Sequence, residues 1–142
     1  MTPNDKHYAS LISAAWVALD EEHRVDDIGL YYTEDYVRHS PERDYDLTQF
    51  ANTIRELIAG FPDLKFTLHD VISSENRVSY RWSSVGTHAG MYLNVPPTNR
   101  RVEVSGISMA VFRKDQMAEG WTVWNKVSAL HRLGIIPLNW ER

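Results

Sequence analysis

An α+β fold, with helices gathered on one side of an antiparallel sheet, is the class this sequence predicts. Two observations carry it. The apolar residues follow a helical period up to Gly60 and a period of two from Leu64 onward, so helices come first and strands follow. The strand-like half is also broken by hairpin turns rather than by helical segments, which folds it back on itself.

From Lys6 to Glu22 the residues Tyr8, Leu11, Ile12, Ala15, Trp16 and Leu19 recur at helical spacing, with Asp5 placed as an N-terminal cap. One long amphipathic helix is expected there. After Asp26 and Asp27, the segment Ile28 to Tyr36 reads as one or two brief helical turns that end at the turn His39-Ser40-Pro41. Asp46 is a candidate cap for a second long helix, in which Leu47, Phe50, Ile54, Leu57 and Ile58 return to helical spacing. Gly60 and the helix-stopping Phe61-Pro62-Asp63 close it.

Beyond Pro62, Leu64, Phe66 and Leu68 alternate with Lys65, Thr67 and His69, as on a strand with one buried face. Ser74-Glu75-Asn76 is the turn to a second strand, where Val78, Tyr80 and Trp82 alternate with polar residues until Gly86. Met91 to Asn99 contains Pro96-Pro97 and is read as a loop, because proline has no N–H for a sheet ladder. Arg101 to Arg113 is a third long strand that turns at Lys114-Asp115-Gln116, and Met117 to Asn125 returns as a fourth. Ser128 to Leu133, closed by Gly134, reads as a short helix covering one sheet edge.

The run Ile107 to Phe112 is apolar on both faces, with Ile107, Met109 and Val111 on one and Ala110 and Phe112 on the other. One face then lines an interior pocket under the helices while the other meets a second subunit, so a homodimer or homotetramer is expected.

Composition narrows the function classes. At 142 residues and 43% hydrophobic content the chain is expected to form one domain, 1–142, with a core of its own. Nineteen acidic against fifteen basic residues give a formal charge of -4, which disfavours a phosphate backbone, so no nucleic-acid partner is expected. No cysteine is present, which excludes disulfides, thiolate metal sites and a cysteine nucleophile. The six histidines are scattered without a metal-ligand spacing, and no phosphate loop, nucleophile elbow or dinucleotide fingerprint occurs; neither metal nor cofactor is expected. Met1 to Lys6 is polar with no apolar run behind it, and no stretch is long and apolar enough to span a bilayer, so a soluble cytoplasmic protein without a membrane partner is expected.

Phe61-Pro62-Asp63-Leu64, Arg81-Trp82, Gly86-Thr87-His88-Ala89-Gly90, Pro96-Pro97-Thr98 and the stretch from Trp121 to Gly134 resemble, in order and spacing, the SnoaL-like polyketide cyclases. The resemblance covers roughly the C-terminal two thirds of the chain and, more loosely, the helices before it. It implies a cone-shaped α+β barrel, whose N-terminal helices and curved sheet enclose a pocket, as in nuclear transport factor two and ketosteroid isomerase. For the best-known cyclases it implies a cofactor-free intramolecular aldol closure with an Asp as general acid/base. In Trp121-Thr122-Val123-Trp124-Asn125, the resemblance places Asn125 at the position of that Asp, and Ala110 at a position that often carries a His. An amide cannot exchange a proton near neutral pH.

Candidate catalytic residues follow. His39 resembles a pocket-mouth histidine and titrates near working pH; the plainer alternative is a turn residue before Ser-Pro. His88 sits between glycines that let the backbone turn sharply, and is either a structural turn residue or a proton carrier. Asn125 shares a strand face with Trp121 and Val123, and the family orientation points all three into the cavity, where the amide would polarise a carbonyl. Its alternative is a satisfied polar residue at a helix start. Trp16, Tyr32, Phe50, Trp82 and Trp121 are candidate substrate-binding walls, or plain core. Tyr32 and Tyr36 also offer phenols, and Asp26, Asp27, Glu34 and Asp35 offer carboxylates near the expected mouth.

The expected function is a cofactor-independent enzyme acting on a hydrophobic, carbonyl-containing, polyketide-like small molecule by cyclisation, isomerisation or a related proton transfer. The alternatives are a binding protein that kept the pocket and lost the acid/base Asp, or an interaction module using the open sheet face.

Overall fold

Thr2 starts the first helix, α1 (Pro3–Ala15): its hydroxyl accepts the Asp5 N–H at 3.1 Å, and its own N–H donates to the Asp5 carboxylate at 3.0 Å. In this computed structural model, which describes residues 1–134, Asp5 is therefore not the cap but the reciprocal partner in a capping box. The other Asp5 oxygen accepts the Ser73 N–H and hydroxyl, tying the helix to a distant strand; these bonds, the hydroxyl's first, hold the carboxyl pKa down at about 2.

The expected single helix to Glu22 changes character at Trp16. Trp16–Glu21 is a π-helical turn, with the Glu22 N–H reaching back to the Val17 carbonyl at 2.8 Å. Consecutive residues of an α-helix diverge by about 100° and cannot all face one way. The wider turn buries Ala18, Leu19 and Asp20 in succession.

A 3-10 segment, Val25–Leu30, leads into β1 (Tyr32–His39), which pairs with the short β2 (Asp44–Asp46). The helical turns expected over Ile28 to Tyr36 thus reach only Leu30. From Tyr32 the aromatic and β-branched residues favour a strand. Asp46 caps α2 (Leu47–Gly60) in a capping box with Gln49, as its sequence indicates.

The four strands read from the sequence are β3 (Lys65–Ser74), β4 (Arg77–Thr87), β5 (Arg101–Arg113) and β6 (Gln116–Trp124). The curved, unclosed six-stranded sheet runs β2-β1-β6-β5-β4-β3. All neighbours are antiparallel except β1 and β6, which are parallel with Val37 opposite Glu119; the fully antiparallel expectation is corrected there. A bulge between Val111 and Phe112 re-aims β6, leaving Gly120 buried beneath the Tyr36 hydroxyl and Trp121 on the outer face.

α3 (Lys126–Arg132) does not cover an edge strand. It lies against β5, where Ala129 and Leu133 pack with Phe61, Leu64 and Val102. The larger core joins Ile12 and Leu19 of the first helical region to Tyr36, Phe50, Val78 and Phe112. On the opposite side of the sheet Ile72, Ile107 and Val123 are exposed. No helix among the described residues is long and apolar enough to cross a membrane.

Candidate functional site

Between the π-helical turn, α2, α3 and the inner face of the sheet lies a cavity of about 280 Å³. Its walls are aromatic: Trp16 stacks on Phe66 with centroids 4.9 Å apart, Phe66 meets Trp82 at 5.6 Å, and Phe50 packs against Tyr32 at 5.2 Å. Gly106, opposite Trp82 on β5, allows the indole close to the strand, because a Cβ there would collide with the ring. The Trp82 indole N–H donates to the Ser108 hydroxyl at 2.9 Å, which in turn lies 2.7 Å from that of Thr122.

Among the polar groups that interrupt this lining, four fall close together. Asp20, Tyr32, Arg38 and Tyr80 all reach the cavity. Asp20 is buried, and loss of water raises its pKa from 3.8 to about 7; the Arg38 charge opposes the rise and Glu21 adds to it. It is therefore a carboxyl group able to hold or release a proton near neutrality. Burial pushes the Tyr32 phenol well above its ordinary value, so it remains an O–H donor. Burial also opposes the charge of Arg38, but the surrounding Tyr36, Tyr32 and Tyr80 oxygens outweigh it and the guanidinium stays charged.

Four of the five expected wall residues, Trp16, Tyr32, Phe50 and Trp82, line this cavity. Trp121 does not: it stacks on His39 on the outer face, centroids 5.0 Å apart, and Val123 beside it is 61% exposed. Asn125 is likewise not turned inward. It is exposed past the end of β6, and its side-chain oxygen accepts the Ser128 N–H at 2.9 Å as the cap of α3. The expected common inward face of Trp121, Val123 and Asn125 is corrected, since the inward residues of this strand end are Thr122 and Trp124.

His39 lies outside the lining, bridging two carboxylates: Nδ1 to Asp44 at 2.8 Å and Nε2 to Glu119 at 2.7 Å. These bonds, Glu119's first, raise its pKa. A histidine whose pKa rises on folding contributes stability that is complete below the unfolded value and fades as pH climbs through the folded one. The thermal midpoint of the wild type should therefore exceed that of His39→Gln below pH 6.5, and the gap should close above it. A gap independent of pH would refute the bridge.

His88 is fully buried and outside the cavity lining. Its Nδ1 accepts the Thr98 N–H at 3.2 Å and lies 3.0 Å from the Thr98 hydroxyl, while Phe61 stacks on its ring. The flanking glycines do not serve a left-handed turn: Gly86 lies within β4, and Gly90 is pressed against the Ala59 carbonyl, leaving no room for a Cβ. Among the described residues, no group of three or more His, Asp or Glu is placed to hold a metal ion.

Asp20 and Arg38 are two charged residues of the lining that sequence reasoning missed. Asp20 had a signal, for it stands four residues after Trp16 on the apolar stripe, where a carboxylate is out of place. Arg38 had none, standing between the segment Ile28 to Tyr36, read as helical turns, and the turn at His39; on a strand it shares the face of Tyr36. Asp26, Asp27, Glu34 and Asp35 are all exposed.

A family model described as SnoaL-like polyketide cyclase matches residues 9–133. Among solved structures, AclR of Streptomyces galilaeus, to which a hydroxylase activity is ascribed, is 25% identical with a TM-score of 0.82, over 94% of this chain and 99% of its own. IdmH of Streptomyces antibioticus, ascribed as a polyketide cyclase, is 25% identical with a TM-score of 0.76, over 89% and 98%. A protein of Acidithiobacillus ferrooxidans, also ascribed as a polyketide cyclase, shares the fold at 18% identity and a TM-score of 0.81, over 94% and 98%. No curated protein matches the chain.

Proposed function

The chain belongs to the SnoaL-like polyketide cyclase family, and on that premise we propose that it catalyses proton transfer on a hydrophobic carbonyl compound, with Asp20 as the acid/base. The observation that carries this reading is a buried carboxyl group with a pKa of about 7 on the wall of an aromatic cavity. The Asp20 carboxylate takes a proton from the carbon next to a carbonyl, and the C–H electron pair moves into an enolate whose oxygen receives the Tyr32 O–H. In an isomerisation the proton returns at another carbon. In a cyclisation the enolate carbon bonds to a second carbonyl carbon of the same molecule, and that oxygen takes the proton from Asp20. The Asp20 carboxyl thus does on a helix what the resemblance implied for the position of Asn125.

Deuterium exchange into 1-tetralone, a bicyclic ketone with one enolisable position, tests the reading by NMR. The expected exchange exceeds the buffer rate and rises with pH through about 7 as Asp20 loses its proton. Binding without exchange above buffer would favour a non-catalytic binding protein instead.

The exposed Ile72, Ile107 and Val123 support the further reading that the outer sheet face docks a second copy, as a homodimer or part of a homotetramer. Sedimentation should then give a dimer or tetramer that Ile107→Asp dissociates; a wild-type monomer would count against it.

A further inference from the structure

Arg38 is fixed in place more firmly than a general source of positive charge needs to be. Its Nε donates to the Tyr36 hydroxyl at 2.7 Å, and its guanidinium carbon lies 4.2 Å from the centroid of the Phe50 ring. One edge of the fork is tethered and one face is covered, which leaves the terminal amino groups as a preset plane. Neither makes a hydrogen bond or ion pair among the described residues. The contrast with the surface is informative: Arg81 pairs with Asp70 at 2.7 Å, Arg55 with Asp26 at 2.8 Å and Arg113 with Asp35 at 3.2 Å, where water would have served. Asp20 senses the Arg38 charge yet forms no ion pair with it. Arg38 is half-buried and its terminal amino groups open onto the cavity, so their donors are free to take acceptors from a ligand there.

The geometry points to an organic carboxylate as the ligand of this cavity, its apolar ring against Trp16, Phe50 and Trp82 and its two oxygens on the terminal amino groups of Arg38. A planar fork and a carboxylate match through two parallel N–H···O bonds. The inference deepens the proposed function, resting on the same cavity as the substrate site, and narrows the substrate to a carbonyl compound that also carries an acid group. A volume of about 280 Å³ sits at the small end of the roughly 300 to 1,000 Å³ typical of small-molecule sites, which favours a compact ring system over an extended polycycle.

Calorimetric titration with 1-naphthoate and with its neutral counterpart methyl 1-naphthoate tests this. The wild type should bind the carboxylate at least about tenfold more tightly, the weight of a charge-assisted pair. Arg38→Met should lose that preference while still binding the methyl ester, which shows that the cavity has formed, and Arg38→Lys should retain part of it. Equal affinities in the wild type, or a preference that survives in Arg38→Met, overturn the inference; the wild-type comparison decides alone if the Met variant does not fold. A protein that prefers naphthoate but never exchanges the tetralone proton thus sinks the acid/base assignment and spares this one, and the reverse result does the opposite.

Discussion

Asp20→Asn is expected to slow tetralone exchange by about 10²- to 10⁴-fold, the usual weight of a positioned acid/base, and at the same time to stabilise the fold at neutral and alkaline pH. The sign of the second effect follows from linkage. Below pH 3.8 the acid is protonated in both folded and unfolded chains and contributes no difference. As pH rises, the unfolded chain releases its proton first, so stability drains away until the folded pKa near 7 is passed. That displacement corresponds to about 4 kcal/mol. An amide carries no such burden, so in urea melts the variant should gain on the wild type steadily from about pH 4 to about pH 8. Together, a catalytic loss and a pH-dependent gain identify a group held for chemistry at the expense of the fold. Full exchange in the variant, or a stability gap that ignores pH, would remove Asp20 from the site.

The other large effect is expected at His88. With Nδ1 accepting the Thr98 N–H, the ring proton sits on Nε2, which has no partner among the described residues. His88→Ala strips the Thr98 N–H of its acceptor and opens a void beside Phe61, together about 2 to 4 kcal/mol. The backbone around it shows what would loosen: His88 donates its N–H to the Arg100 carbonyl and accepts from the Asn99 N–H, which closes the loop carrying Pro96-Pro97. His88→Asn keeps an acceptor near the Nδ1 position for the Thr98 N–H, so it should recover part of the loss. An Ala variant as stable as the wild type in urea would show that the loop holds itself.

Much of the fold was legible because its elements obey simple periods. The alternation through Tyr80 and Trp82, the turn at Glu75 and the cap at Asp46 each state their structure locally. β1 was not legible, since its burial follows no strict alternation and its partner β6 lies far along the chain. The π-helical turn escaped for a related reason: nothing local distinguishes it from the α-helix it extends. Both failures fell on the site, for the turn delivers Asp20 and the strand delivers Arg38. The aromatic walls could be named in advance, apart from Trp121, whose facing is set by a bulge that the sequence does not announce.

The parallel seam between β1 and β6 bears on how the protein assembles. Tyr32–His39 emerges early in synthesis with the short β2 beside it, but its long partner ends at Trp124, so that edge stays open while the hairpins from Lys65 onward zip together. The seam that seats Arg38 is the most non-local pairing of the sheet, and its closure is expected to be the slow step of sheet assembly.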